Sequence, residues 1–176
     1  MAVPSIKTKR LSLRQIVESD APALHDVLSD VKLMTWWSSA AHTTLADTED
    51  YVGRNASDTG GWRCWAITKE GLQALGWVIL IEKRTGVAEI GYILSRDYWG
   101  IGYAREAVSA VVAHGFDSLR FRRIFADVDP DNMSSIRLVE SLGFVREGRL
   151  RAEWETHIGV RDSLIFGLLK TDYLTT

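Results

Sequence analysis

The chain changes its apolar period abruptly at a loop that holds two glycines, Tyr98-Trp99-Gly100-Ile101-Gly102-Tyr103-Ala104-Arg105-Glu106-Ala107. Before the loop, Val87 to Leu94 follows the turn Arg84-Thr85-Gly86 and reads as a strand. After it, Ala104, Ala107, Val108, Val111, Val112 and Gly115 fall on one face of a helix. That face is built of small residues, so the helix can lie close against a sheet. A strand handing over to such a helix places the chain among mixed α/β folds.

The other segments fit around this joint. Leu11 and Leu13 alternate with Arg10, Ser12 and Arg14 as a half-buried first strand. Ser19-Asp20-Ala21-Pro22 supplies a capping side chain and a first-turn proline, and Leu24, Val27, Leu28 and Val31 follow at helical spacing. Thr44 and Asp47 make a capping-box pattern for a second helix through about Val52. Strands over Arg63 to Thr68 and Leu75 to Glu82 flank the polar turn around Lys69-Glu70-Gly71. Ile124, Ala126 and Val128 alternate as a strand that ends at Asp129-Pro130-Asp131-Asn132. The helix after it carries Ser135, Leu138, Val139 and Leu142 on one face, with Gly143 as its stop. Leu150, Ala152 and Trp154 alternate, and Ser163 to Leu169 closes the chain as a final strand. The predicted order is β-α-α-β-β-β-α-β-α-β-β, which departs from a Rossmann domain. With no repeat or linker, residues 1–176 read as one domain.

A chain of 176 residues can bury a core without disulfides or metals. The formal net charge of -2 argues against nucleic acid as the main partner, which needs a concentrated basic surface. A local basic patch could still meet a small anionic cofactor. No apolar run approaches the ~18 residues of a membrane span, and no signal-peptide core opens the chain, so a cytoplasmic location is expected. The one cysteine, Cys64, lies in the apolar run with Trp65-Ala66-Ile67 and reads as a buried reduced thiol. Four scattered histidines and one cysteine lack metal-ligand spacing, so no metal is expected.

The loop's chemistry follows from its residue types. Two glycines let the backbone turn tightly and approach a ligand. The first turn of the helix then offers unpaired N–H groups and the positive end of the helix dipole, which suits a diphosphate. A Walker-type loop is excluded because no Gly-Lys-Ser/Thr follows. A dinucleotide fingerprint fits badly, because its third glycine would fall at Arg105. An ordinary glycine-rich connection is the plain alternative. About thirty residues on, Asn132 and Ser135 open the next helix. Asn132 and Ser134 can be read as simple cap residues. Ser135, however, is a hydroxyl on an apolar inward face and needs a partner, which a ligand between the two helices could supply.

Together these features resemble the GNAT superfamily of N-acetyltransferases. The glycine loop is similar to its Q/R-x-x-G-x-G/A motif, with Gly102 and Ala104 in the G and G/A places. Trp99 departs from the pattern where Gln or Arg is usual, so the grip on a pyrophosphate should rest mainly on backbone N–H groups from Gly100 to Arg105. Thr8-Lys9-Arg10-Leu11-Ser12-Leu13-Arg14 resembles the opening of the RimJ/RimL branch, which acetylates ribosomal-protein N-termini. Glu89-Ile90-Gly91-Tyr92, Asn132-Met133-Ser134-Ser135, Leu142-Gly143-Phe144 with Glu147-Gly148, and Gly159 with Arg161-Asp162 agree with that branch in order along the whole chain.

The resemblance implies a mixed, mostly antiparallel sheet of about seven strands, splayed in the middle and flanked by about four helices. It implies acetyl-CoA as co-substrate and direct transfer to an amine in a ternary complex. Ile93 and Leu94 would offer backbone groups to the pantetheine arm and thioester, with the Leu94 N–H as an oxyanion donor. Trp99, Gly100, Ile101, Gly102, Tyr103, Ala104 and Arg105 would hold the pyrophosphate. Asn132 would contact the pantetheine or place the acceptor, and Arg105 and Arg137 are candidates for CoA phosphates or for plain surface arginines. Ser135 is the candidate that protonates the leaving thiolate.

Glu89 is the first candidate base, as a carboxylate in a partly dry cleft; the alternative is a structural ion pair. Asp127 is second, Glu153 or Glu155 third, and a water wire without a single base is a further alternative. His25, His42, His114 and His157 take surface-like positions. Among seven tryptophans, Trp65 and Trp77 read as core, whereas Trp36 and Trp37 lie in the loop that borders the acceptor site in this fold. They would shape an acceptor pocket or pack under the loop. The leading acceptor is a protein N-terminal amine; the alternatives are a small-molecule amine, or no reaction at all in an acyl-CoA-binding sensor. Members of the family are often homodimers.

Overall fold

Ala74 to Leu80 are buried without a break, which marks their strand as one covered on both faces. The computed structural model describes residues 3–57, 61–70 and 73–174, and this strand lies at the middle of its sheet. The strands are β1 (Ile6–Lys7), β2 (Ser12–Gln15), β3 (Trp62–Thr68), β4 (Ala74–Arg84), β5 (Val87–Leu94), β6 (Arg123–Val128), β7 (Val145–Thr156) and β8 (Gly159–Leu169). They form one sheet in the order β1-β2-β3-β4-β5-β6-β8-β7. Every pair is antiparallel except β5 with β6.

The helices are α1 (Ala21–Leu28), α2 (Leu45–Ala56), α3 (Tyr103–Asp117), α4 (Met133–Ser141) and the single turn α5 (Lys170–Tyr173). They divide the core in two. On one face of the sheet Val108, Val111 and Phe116 of α3 and Val139 of α4 pack on Leu80, Ile90, Ile124 and Phe166. On the other, Leu24 and Leu28 of α1 and Val52 of α2 pack on Trp77 and Ile79. The small face of α3 permits its close approach: a Cβ on Gly115 would meet Ile124 Cδ1 at 2.8 Å.

The observed order matches the predicted one with additions at the two ends. Among the described residues the sheet has eight strands rather than about seven, because the two-residue β1 pairs with β2. A fifth helix, α5, follows β8. Helix α1 stops at Leu28, so Val31 is not part of its apolar face and is 73% exposed. Thr44 caps α2 as read, its Oγ1 accepting the Asp47 N–H, but the helix continues to Ala56. Of the turn after β3, Gly71 lies outside the described residues.

Candidate active site

The one parallel pairing among the described residues is short, and it opens a gap. β5 and β6 are registered only from Val87 with Arg123 to Glu89 with Phe125. Beyond that point Ile90–Leu94 and Ala126–Val128 run on without pairing to each other. Alternation along β5 decides which backbone groups face the gap. The Ser95 N–H bonds to the Leu75 carbonyl at 2.8 Å, so odd residues turn toward β4 and even residues turn outward. Tyr92 and Leu94 therefore present their peptide groups to the gap. Ile93, also expected to do so, is committed to β4, where a Cβ on Gly76 would collide with its carbonyl oxygen.

The glycine loop closes one end of this gap. Gly100 and Gly102 both have left-handed φ, +76° and +84°, and Gly102 is the N-cap of α3. Among the described residues nothing lies within 4 Å of a Cβ built on Gly100, so the arch is open above it. Trp99 does not leave the loop slack. Its Nε1–H donates to the Leu94 carbonyl at 2.8 Å, pinning the loop to the end of β5. Tyr103 is buried and stacks on Tyr98 at 6.1 Å. Arg105 donates from Nη2 to the Ser141 carbonyl at 3.2 Å, linking α3 to α4, and Arg137 is exposed on α4.

On the α3/α4 face, Ser135 finds its partner within the chain. Its Oγ lies 2.5 Å from the Tyr92 hydroxyl. Tyr92 reaches from β5 to α4 across the gap, and burial pushes its phenol up to about 12, against the opposing pull of the Ser135 hydrogen bond. Both groups are thus protonated at neutral pH. Asn132 caps α4: its Oδ1 accepts the Ser135 N–H at 3.1 Å and the Ser134 hydroxyl at 3.0 Å. Tyr92 went unassigned from the sequence, although a tyrosine on an apolar strand face always raises the question of what its hydroxyl meets.

On the α1/α2 face the gap meets acidic and aromatic side chains. Asp127 accepts from Ser163 through Oδ1, and from Trp154 Nε1 at 2.9 Å through Oδ2. Glu89 sits where the β5–β6 pairing ends and pairs with Lys83 at 3.1 Å. Arg161 of β8 grips Asp129 with two hydrogen bonds of 2.8 and 2.9 Å and reaches Asp131 at 2.5 Å. Burial would raise the Asp129 carboxyl, but the Arg161 guanidinium outweighs it and holds Asp129 below the usual carboxylate range. The same guanidinium lies 5.4 Å from the Trp36 ring centre. Arg161 therefore ties the Asn132 turn to the α1–α2 connection, and no sequence spacing announces that link.

The two loop tryptophans separate. Trp36 is 36% exposed at this rim, whereas Trp37 turns inward, edge-on to Trp77 at 5.8 Å, with its Nε1 donating to the Tyr51 hydroxyl at 3.3 Å. Glu153 and Glu155 are exposed on β7. Of the histidines, only His157 is exposed. His25 and His42 are half-buried and share the hydroxyl of buried Thr48 at 2.8 and 2.9 Å, and His114 packs edge-on against Trp65. Cys64 is buried, and burial pushes its thiol up. Among the described residues no cluster of His, Cys, Asp and Glu is arranged to hold a metal ion. No described helix is long and apolar enough to cross a membrane.

The arrangement can hold two molecules on opposite faces of one sheet and let them meet through a gap. One side offers backbone donors and paired hydroxyls; the other offers carboxylates framed by indole rings. Comparison with known proteins places the chain in a family. The family model of the acetyltransferase (GNAT) domain matches residues 10–145. An uncharacterized N-acetyltransferase, p20, of Bacillus licheniformis is 35% identical over 174 residues, covering 96% of this chain and 98% of that protein. Spermidine N(1)-acetyltransferase of Vibrio cholerae is 24% identical over 167 residues, covering 94% and 96%. The crystal structure of a GNAT-family acetyltransferase from Bacillus anthracis superposes with a TM-score of 0.86 at 26% identity, covering 96% of this chain and 99% of that one. A Vibrio cholerae spermidine N-acetyltransferase in complex with CoA and spermine shares the fold, with a TM-score of 0.82 at 24% identity over 95% and 99% of the chains.

Proposed function

The chain belongs to the GNAT acetyltransferase family, and from that premise we propose that it acetylates the primary amine of a small cationic molecule held among Asp127, Trp154 and Trp36. It is an acetyl-CoA-dependent N-acetyltransferase. The residues fit that co-substrate: left-handed glycines at Gly100 and Gly102 and the first turn of α3 make an open cradle for a diphosphate. When bound, acetyl-CoA supplies a thioester whose carbonyl carbon is attacked by the amine nitrogen, with release of CoA thiolate.

The observation that carries the acceptor reading is the Asp127 carboxylate, fixed by Ser163 and Trp154 on the open face. A fixed carboxylate beside indole rings recognises an alkylammonium by charge and by cation–π contact. The chain's own residues then divide the proton traffic. Asp127 docks the cation. Glu89, at the mouth of the gap, takes the amine's proton through water. Ser135, held by the Tyr92 hydroxyl, gives its proton to the leaving sulfur, and solvent water returns a proton to the pair as CoA departs. The relatives named as spermidine N(1)-acetyltransferases support a small polyamine-like acceptor.

A second reading, a protein N-terminal amine as in the RimJ/RimL branch, draws on the openness of the rim. Trp36 and Trp154 are 36% and 48% exposed, which leaves room for an extended peptide. A free-thiol assay with acetyl-CoA over diamines, polyamines and N-terminal peptides decides between them. Amine-dependent CoA release with polyamines and not peptides supports the first reading; the reverse supports the second.

A further inference from the structure

The turn between β1 and β2 is fastened to the glycine loop by one arginine. Arg10 donates from its backbone N–H and from Nε to the two oxygens of Glu106, at 2.8 and 2.6 Å. Thr8 adds a hydroxyl bond of 2.6 Å to the same carboxylate. Arg10 Nη1 donates to the Ile101 carbonyl at 2.7 Å, and its guanidinium lies over the Tyr103 ring at 4.7 Å. Its Nη2 would touch a Cβ built on Gly102 at 3.3 Å. One side chain therefore meets the loop and the first turn of α3 at four residues, Ile101, Gly102, Tyr103 and Glu106. Nothing in the α3 pattern or the cap of that helix requires it.

Two physical consequences follow. A trans peptide points its C=O and N–H in opposite directions. Holding the Ile101 carbonyl against Arg10 therefore aims the Gly102 N–H away from Arg10, to the other side of the arch. Charge is the second. Glu106 places a carboxylate in the first turn of a helix that has to receive an anion. The guanidinium at 2.6 Å neutralises it, which removes a repulsion that a bound diphosphate would otherwise feel.

We infer that Arg10 is the positioning residue of the pyrophosphate cradle: it sets the direction of the Gly102 N–H and cancels the Glu106 charge. The inference rests on the reading of this loop as the CoA pyrophosphate site. It predicts a defect confined to the part of the co-substrate that the cradle touches.

The test compares acetyl-CoA with S-acetylpantetheine, which carries the same thioester without the pyrophosphate and nucleotide, at saturating amine. The ratio of the two kcat/KM values is independent of how much of a variant is folded. In the wild-type protein the ratio should strongly favour acetyl-CoA. In Arg10→Ala it should fall by about tenfold or more, through KM for acetyl-CoA, while kcat/KM for S-acetylpantetheine stays within about threefold. Arg10→Lys restores charge but lacks the planar fork that sets Nε on Glu106 and Nη1 on Ile101 at once, and should recover only part of the ratio. Adding Glu106→Gln to Arg10→Ala should recover part as well, because the uncancelled carboxylate is gone. A ratio unchanged in Arg10→Ala, or an equal fall for both substrates, overturns the role of Arg10 and leaves the loop reading standing. A wild-type ratio near one overturns the loop reading itself, and the role of Arg10 with it.

Discussion

The Tyr92 hydroxyl on β5 and the Ser135 Oγ on α4 lie 2.5 Å apart, joining one strand of the gap to the helix that follows the other. With the phenol pushed up to about 12 by burial, the pair stays protonated throughout the working range of an enzyme. Ser135→Ala should lower kcat by about a hundredfold, the scale of a lost general acid, with KM for acetyl-CoA changed less than about threefold. Tyr92→Phe should cost less, and the double variant little more than Ser135→Ala alone, because the two act in series. Steady-state kinetics of thiol release gives all three. A large rise in KM with kcat retained would make Ser135 a binding residue.

Glu89 is the proposed base, and its test is the turnover of its amide variant. Glu89→Gln should lower kcat/KM by about a hundredfold, the scale of a lost general base, with KM for acetyl-CoA changed little. An unchanged kcat/KM would take Glu89 out of the proton path and leave its ion pair with Lys83 as its whole role.

Trp36 and Trp37 are neighbours with different burdens. Trp37→Ala removes an indole packed on Trp77 and should destabilise the fold by about 3 kcal/mol in chemical denaturation. Trp36→Ala removes a rim contact with Arg161 and should cost under about 1 kcal/mol while raising KM for the amine. Equal stability losses would refute the division.

Arg161 and Asp129 give a pH-dependent stability. Asp129 is held below the ordinary carboxylate value, so the stabilisation from this pair is complete above about pH 4, the unfolded value, and is lost as pH falls through the folded one. Arg161→Gln should lower Tm at pH 7, and the gap from the wild type should close as pH drops below about 4. A gap that stays constant across that range would show the pair to contribute nothing through ionisation.

How much of this was legible in the chain depends on the range of each interaction. The capping box of Thr44 and Asp47, the turn before Val87 and the small face from Ala104 to Gly115 are local, and they were readable. So was the glycine loop, since left-handed φ at Gly100 and Gly102 is what glycine in such a joint permits. Single-turn elements escaped, because β1 is two residues long and α5 four. Contacts made by the sheet's wide register also escaped. Tyr92 is 43 residues from Ser135, Arg161 is 32 from Asp129, and Arg10 is 91 from Ile101. No periodicity encodes which side chains a splayed sheet brings together. Ile93 against Leu94 shows the same limit on a finer scale: which peptide faces the gap is set by pairing with β4, not by residue type.

The central claim is that two ligands meet through the β5–β6 gap and react directly. Initial rates of CoA release, with acetyl-CoA varied at several fixed concentrations of the best amine from the acceptor panel, test it. Intersecting double-reciprocal lines, with no rate in the absence of amine and no acetylated protein by mass spectrometry, are the predicted result. Parallel lines together with a covalently acetylated enzyme would contradict the account.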